Sequence, residues 1–351
     1  TSPHVHFEIR APGTNDPLNP YDSLKAAPRI SAPVSSYPKL SKEILPYEQF
    51  TGGLSLAVGN FDSDSAKELL SGAGPTGGPL VRTFKQDGTA ISSFYAYDPG
   101  FRGGVSVASG DIDGDGKDEI ITGAGAGGGP HIKIFKSDGT VIKEFFAYDP
   151  TFRGGVNLAV ADMNGDGKVE IITGAGPGGG PHVRVFNADG SQVVEFFAYA
   201  GNFRGGVNVA ATAKNNIGTP SIVTAPVSKG GPHIKVFDAK GGTVAEFFAY
   251  EPTFTGGVRV AIGAVAGSTN NPEIITIPAS GGGPRLKTFH YSAVNKDVFV
   301  GFEEWWRGGY VIASGDGKVF IGNTAGGRRS SIRSYDFSSN SSQPRFPRNN
   351  N

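Results

Sequence analysis

Between Val105 and Tyr148 the chain writes four short apolar runs, VSVASG, EIITGAG, HIKIF and VIKEFFAY, separated by Asp-Gly or by a stretch of glycines. β-Branched and aromatic residues dominate the runs, so the segment predicts four short strands joined by tight turns. The segment recurs. Phe50, Phe101, Phe152, Phe203 and Phe254 stand 51 residues apart, Trp306 follows after 52, and a Gly-Gly pair comes two residues after each. Six copies of a four-stranded unit of about 50 residues predict the blades of a β-propeller. A β-solenoid is the second choice, because its usual rung is about half that length.

The two ends of the array predict a closed ring. The sixth copy begins WRGGYVIASG, reaches IRSYDF and runs into SSNSSQPRFPRNNN without a fourth strand. Ahead of the first copy, KEILPYEQF (residues 42–50) aligns with KEFFAYDPTF (residues 143–152) after one deletion. The fold expected is therefore all-β: a six-bladed propeller closed by its N-terminal strand. Residues 42–49 would supply the outer strand of the blade built from 307–337, which removes an unpaired sheet edge. The repeated aromatics Phe145, Phe146 and Tyr148 are expected to pack between blades, as large rings dominate cores.

Composition agrees with turn-dense β structure, with Gly 54 and Pro 24 in 351 residues. Lys+Arg 32 balance Asp+Glu 32, so no net charge draws the chain toward nucleic acid or an anionic membrane. No apolar run approaches the roughly 18 residues of a membrane span, and no secretory signal opens the sequence. Cysteine is absent, which fits an extracytoplasmic protein that needs no disulfides. The first residue is Thr1 rather than Met, and the expectation is that upstream residues, with any signal peptide, precede it. A monomer is expected.

Acidic residues concentrate in one loop of each early repeat. Ten residues after Phe101 come Asp111, Asp113, Asp115, the carbonyl of Lys117, and Glu119. Alternate residues of a tightly curled loop converge on one point, and a hard cation such as calcium takes six to eight oxygens. The third repeat offers Asp162, Asn164, Asp166, the Lys168 carbonyl and Glu170. The first offers Asn60, Asp62, Asp64, the Ala66 carbonyl and Glu68, with Ser63 and Ser65 in place of glycines. The later repeats have lost the pattern: Ala213, Asn215 and Ile217 in the fourth, Ala264 and Ala266 in the fifth, a shortened loop around Asp316 in the sixth. A loop needed only as a turn tolerates such neutral sequences, so the acids serve something else. About three structural Ca2+ sites are expected. An EF-hand does not fit, because its last acidic ligand stands at position 12 and helices flank it.

The acidic loop followed by EIITGAG, in repeats of this length, resembles the FG-GAP and VCBS-type calcium propellers of integrin α-subunits and many bacterial surface proteins. The phrases TGAGPGGGPHVRVF and FFAYDPTFRGG are similar to a bacterial subset of those repeats. The resemblance covers residues 42–340. It implies an extracellular or cell-surface binding or scaffolding module with its calcium loops on one rim, and an extracellular protein or glycan as partner.

GAGAGGGPH (residues 123–131) is not a phosphate cradle: it lacks a Gly-Lys-Ser/Thr ending and leads into a strand rather than a helix. His131, His182 and His233 follow its proline once per blade, too far apart to share a metal. Because successive hairpins alternate between rims, the loops with Arg102, Arg153, Arg204 and Arg307 should share a rim with these histidines. Together they are the candidate ligand face.

The first 24 residues, TSPHVHFEIRAPGTNDPLNPYDSL, read differently, with a His-x-His on a short alternating strand. They resemble the last segment of the lysostaphin-like (LytM-type) zinc endopeptidases that cleave peptidoglycan cross-bridges. That resemblance makes His6 a zinc ligand and His4 the partner that assists the attacking water. The family's remaining His and Asp ligands have no counterpart here, and catalytic zinc needs three protein ligands. Zn2+ therefore belongs only to a longer parent protein. The expected organisation is a peptidase remnant over 1–24, a Pro/Ser-rich linker over 25–41 and the propeller over 42–351. Two functional classes stand: a non-catalytic calcium propeller fused behind a wall-cutting peptidase, or the C-terminal part of an active endopeptidase. Non-repeated acids or bases on one rim, which an enzyme on the propeller would need, are not found outside the calcium loops.

Overall fold

Residues 39–336 are described by the computed structural model, apart from Ser63, 214–217, 264–271, 292–294, 303–304 and 325–326. His4, His6, the remnant over 1–24, most of the linker, and the loop residues Asn215, Ile217, Ala264 and Ala266 lie outside the described residues.

The period of the sequence becomes six four-stranded antiparallel sheets. After β1 (Lys39–Ile44), the first blade is β2 (Leu54–Gly59), β3 (Glu68–Ala73), β4 (Leu80–Phe84) and β5 (Ala90–Tyr95). The second is β6 (Val105–Gly110), β7 (Glu119–Ala124), β8 (His131–Phe135) and β9 (Val141–Phe146). The third is β10 (Val156–Ala161), β11 (Glu170–Ala175), β12 (His182–Phe186) and β13 (Gln192–Phe197). The fourth is β14 (Val207–Thr212), β15 (Ser221–Pro226), β16 (His233–Phe237) and β17 (Thr243–Phe248). The fifth is β18 (Val258–Gly263), β19 (Glu273–Pro278), β20 (Arg285–Phe289) and β21 (Asn295–Val300). The sixth takes β22 (Tyr310–Gly315), β23 (Lys318–Asn323) and β24 (Ile332–Asp336), and β1 completes it in the order β1-β24-β23-β22.

Closure by the N-terminal strand is thus as expected, but its bounds differ. β1 runs from Lys39 to Ile44 and pairs with β24 from Lys39↔Asp336 to Ile44↔Ile332. Residues 46–49 form a turn instead of strand. The cause is visible in the aligned repeat, where β9 ends at Phe146 and the AYDP that follows is loop. Pro46, which has no N–H to give a ladder, stands at that point. The propeller therefore begins at Lys39, three residues earlier than the sequence predicts.

Burial grades across each blade. The second strands, such as EIITGA of β7, are buried along their whole length, whereas the outer strands are largely exposed. Blades pack through their faces. One core cluster joins Ile121, Ile132 and Ile134 of the second blade to Val156, Ile171 and Phe186 of the third. Phe145 meets Phe186 across that junction at 5.0 Å between ring centroids. Tyr148 reaches across it too: its hydroxyl donates to the His182 carbonyl at 3.0 Å and shares a hydrogen bond with Thr173 Oγ1. Tyr97, Tyr199 and Tyr250 repeat the bond at their junctions, and Tyr47 donates to the Leu80 carbonyl where the ring closes. Each such bond contributes about 1 kcal/mol. Phe146 departs from expectation. It is 50% exposed and stacks on His131 of its own blade, because alternation along β9 turns it away from the junction that Phe145 fills.

The Phe-x-Gly-Gly anchor has a steric origin. A Cβ on Gly103 would lie 2.1 Å from the Ala126 carbonyl oxygen and 2.3 Å from the Phe101 ring, so only glycine lets the loop close over its own aromatic.

Candidate functional site

Register places the acidic loops. In the first three blades the inner strand ends opposite the glutamate that opens the second strand: Gly59↔Glu68, Gly110↔Glu119 and Ala161↔Glu170. Each loop is thereby clamped at both ends, and each glutamate is buried at the loop base. Their Oε2 atoms accept from the second loop residue, Phe61 N at 2.9 Å, Ile112 N at 3.0 Å and Met163 N at 2.7 Å.

Above that base, the second and third loops curl identically. Asp111 accepts from Gly114 N and Gly116 N, and Asp162 from Gly165 N and Gly167 N. The curl requires φ of 85° and 87° at Gly114 and Gly116, a region where only glycine sits without strain. Asp115 and Asn164 each take part in the same turn pattern: Asp113 Oδ1 accepts from Asp115 N, and Asn164 Oδ1 from Asp166 N. The exposed residues Lys117, Lys168 and Ala66 donate their N–H to Asp115, Asp166 and Asp64.

Two loops bring acids together. Asp111, Asp113 and Asp115 each offer an oxygen within 4.8 Å of the others, and so do Asp62, Asp64 and Glu68. In the third loop the Asn164 amide lies between acids, its Nδ2 donating to Asp166 Oδ2 at 3.2 Å and to Glu170 Oε1 at 3.0 Å. Glu119 is not one of the second loop's mutually close set. Burial raises Glu68, Glu119 and Glu170 above the usual glutamate value; the backbone N–H partner lowers them, and the neighbouring aspartates raise them again. Clustered oxygens, glycine-permitted curl and carboxylates short of positive partners fit a hard divalent cation.

The first loop holds a residue that the sequence reading missed. Lys85 Nζ lies 3.6 Å from Asp62 and 3.4 Å from Asp64, so an ammonium sits against the acids. Lys85 directly follows β4, on the turn that hairpin alternation brings to this rim. The loops are also joined to one another. Asn60 and Asp118 exchange two bonds, Asp118 N to the Asn60 carbonyl at 2.6 Å and Asn60 N to Asp118 Oδ2 at 3.1 Å. Val169 N donates to the Asp111 carbonyl, and Lys67 N to Asp316 Oδ2. Asp316 itself stands in a two-residue hairpin between Gly315 and Lys318, with φ of 51° at Asp316 and 69° at Gly317. Positive φ at both positions is the demand of a type I′ turn, which accounts for the shortened sixth loop.

The arginines and histidines do share the opposite rim. Gly127 N donates to the Arg153 carbonyl, Thr76 N to that of Arg102, Gly178 N to that of Arg204 and Gly281 N to that of Arg307. Their exposed side chains fold back on their own loops, as Arg153 Nη1 does on the carbonyls of Pro150 and Phe152. His131, His182 and His233 are engaged within their blades. Their Nε2 atoms lie 3.4, 3.2 and 3.3 Å from Glu144, Glu195 and Glu246, and each ring packs on a phenylalanine of the outer strand. Burial lowers all three histidines from the ordinary value. This repeated arrangement braces the outer strands.

Residues 103–141 match the FG-GAP repeat family, a segment that runs from the inner strand of the second blade to the start of its outer strand, with the Asp111–Glu119 loop inside it. Among solved structures, the chain is similar to one described as "Structure of Dos1 propeller", at 11% identity and a TM-score of 0.45 over 77% of this chain and 75% of that one. No curated protein matches the chain. Among the described residues no helix is long and apolar enough to cross a membrane.

Proposed function

We propose that this chain is a non-catalytic, calcium-stabilised propeller that serves as a binding or scaffolding module at a cell surface. A six-bladed propeller carrying an FG-GAP repeat supports a binding or scaffolding role in general. The observation that carries the calcium reading is the convergence of Asp111, Asp113 and Asp115 on a loop that glycines at positive φ hold curled. Calcium would be held by these carboxylates, by Asp162, Asn164, Asp166 and Glu170 in the third blade, and by Asp62, Asp64 and Glu68 in the first. When bound, it would cancel the mutual repulsion of the acids. Short, solvent-exposed loops of this kind suit dissociation constants of about 0.1–1 mM, the range of extracellular modules. The extracellular setting is the one that affinity class suits.

Calorimetric titration of the full chain with calcium tests this. Two to three ions should bind, one fewer after Asp113→Ala with Asp115→Ala; a chain that binds none overturns the reading. Lys85 makes a finer prediction. Because its ammonium competes for Asp62 and Asp64, Lys85→Gln should tighten the weakest site by roughly two- to fivefold, a typical yield for removing an exposed ion pair. An unchanged isotherm would show that the first loop takes no ion.

Acidity should act through the same groups. In the metal-free protein the three loop glutamates have folded values above the unfolded value of about 4.5, so within that window the folded state holds more protons. Their contribution to stability is present at low pH and is lost as pH rises through the raised folded values. Calcium needs the ionised form. The difference in melting midpoint between calcium and chelator should therefore widen from about pH 4.5 to about pH 7. A constant difference across that range would separate the glutamates from the ion.

The second reading, part of a zinc endopeptidase, is favoured by the His4-Val5-His6 stretch. It requires a further His and Asp from a longer parent protein, and it is compatible with the propeller serving to hold such an enzyme at its wall substrate.

A further inference from the structure

The second residues of the six inner strands ring the axial channel: Ser55, Ser106, Asn157, Asn208, Arg259 and Val311. Three of them tie neighbouring blades together. Ser55 Oγ donates to the Val105 carbonyl, Asn157 Nδ2 to that of Val207 at 2.9 Å and Asn208 Nδ2 to that of Val258 at 2.6 Å. Each reaches the first residue of the next inner strand. Arg259 breaks the series. Its Nη1 donates backward to Asn208 Oδ1 at 2.5 Å, and its Nε is buried with no hydrogen-bond partner.

That leaves a guanidinium, which carries a full charge and five donors, with one neutral acceptor. Among the described residues, no aspartate or glutamate lines the channel at this level or at the next level toward the acidic rim. Burial alone lowers Arg259 from its ordinary value to about 10, with no acid offsetting it. Arg259 as a whole is half-buried and its Nε fully so; a charge held there without a counter-charge is costly, and water satisfies its donors without cancelling its field. The cavity beside it measures about 90 Å³, room for an ion of a few heavy atoms together with water.

We propose that Arg259 holds a small monovalent anion, a halide or a simple carboxylate, in the axial channel as a structural part of the ring. The anion supplies the counter-charge that the sequence of the fifth blade omits, and it takes the guanidinium donors that Asn208 leaves over. The site is independent of calcium, being built from inner-strand residues rather than from the rim loops.

The test melts the full chain at constant ionic strength, with calcium supplied as gluconate, while chloride or formate replaces gluconate, an anion too large for the cavity. The midpoint should rise saturably, by about 2 °C at tenfold excess over the dissociation constant. Arg259→Asn repeats the residue that blades three and four use to bond the next carbonyl, so it should fold and show no anion dependence. Crystals of the unaltered chain in bromide should show an anomalous peak within hydrogen-bonding distance of the guanidinium. Equal responses of the two proteins, no response of the unaltered chain, or water alone beside Arg259 would each overturn the proposal.

Discussion

Removing calcium should lower the melting midpoint of this chain by about 6 °C. At about 1 mM calcium and a dissociation constant of about 0.1 mM, each occupied loop adds roughly 1.4 kcal/mol, and three add about 4 kcal/mol. Unfolding entropy scales with chain length, so for a domain of this size that increment is worth about 6 °C. The second loop should account for the largest share, since among the described residues no ion pair engages its three aspartates, whereas Lys85 already sits against the first. Scanning calorimetry with calcium and with chelator measures the difference, and magnesium serves as the control because it demands tighter octahedral geometry. Coincident midpoints would mean that the acids are solvated turn residues and that the loops stand without an ion.

Truncation at the closing strand should have the other large effect. Deleting residues 1–38 leaves β1 whole and should give a soluble monomer that melts like the full chain. Deleting residues 1–44 removes β1 and with it every backbone pair from Lys39↔Asp336 to Ile44↔Ile332. The buried Ile44 goes as well, as does Glu43, whose carboxylate meets Arg333 at 3.1 Å. β24 then becomes an open edge with unpaired donors and acceptors, which invites pairing with another chain. The shorter protein should aggregate or lose most of its cooperative transition. Light scattering and melting of the two truncations decide the matter, and equal behaviour would show that the sixth sheet is stable with three strands.

The architecture was legible because a repeat repeats its errors as well as its signals. Phe101, its two glycines and the Asp-Gly turns recur at one spacing, so strand number and closure followed without any single strand being secure. Boundaries were less legible. KEILPYEQF aligned with a phrase that is half strand and half turn, and sequence similarity does not separate the two halves. The acids of the second loop were readable because alternate residues of a curled loop must converge, and the structure brings three of them within 4.8 Å. Lys85 and Asp118 were not, since both act on a loop from another hairpin, and only the stacking of hairpins on one rim brings them there. Arg259 was hidden for a related reason. In the sequence it is one charge in an alternating strand, and its position on the axis exists only once six blades surround it. His131 and its counterparts, expected with the arginines on one ligand face, stand on the rim of the arginine loops, where hairpin alternation puts both.

The joining of the first strand to the last also fixes when the molecule can finish folding. β1 leaves the ribosome ahead of all six inner strands, while β24, its sheet partner among the described residues, follows about 290 residues later, as the separation of Glu43 and Arg333 shows. At synthesis rates of about 5–20 residues per second, the delay is roughly 15–60 s. Through that interval five blades can form in turn, each on the face of the one before, while β1 remains a waiting segment. Folding in that order would assemble the ring as an open arc and lock it once, by a segment that stays unattached and soluble until then. The two lysines, the serine and the glutamate of KLSKEI are the composition such a waiting strand needs, since charge and a small polar group keep it from pairing too early.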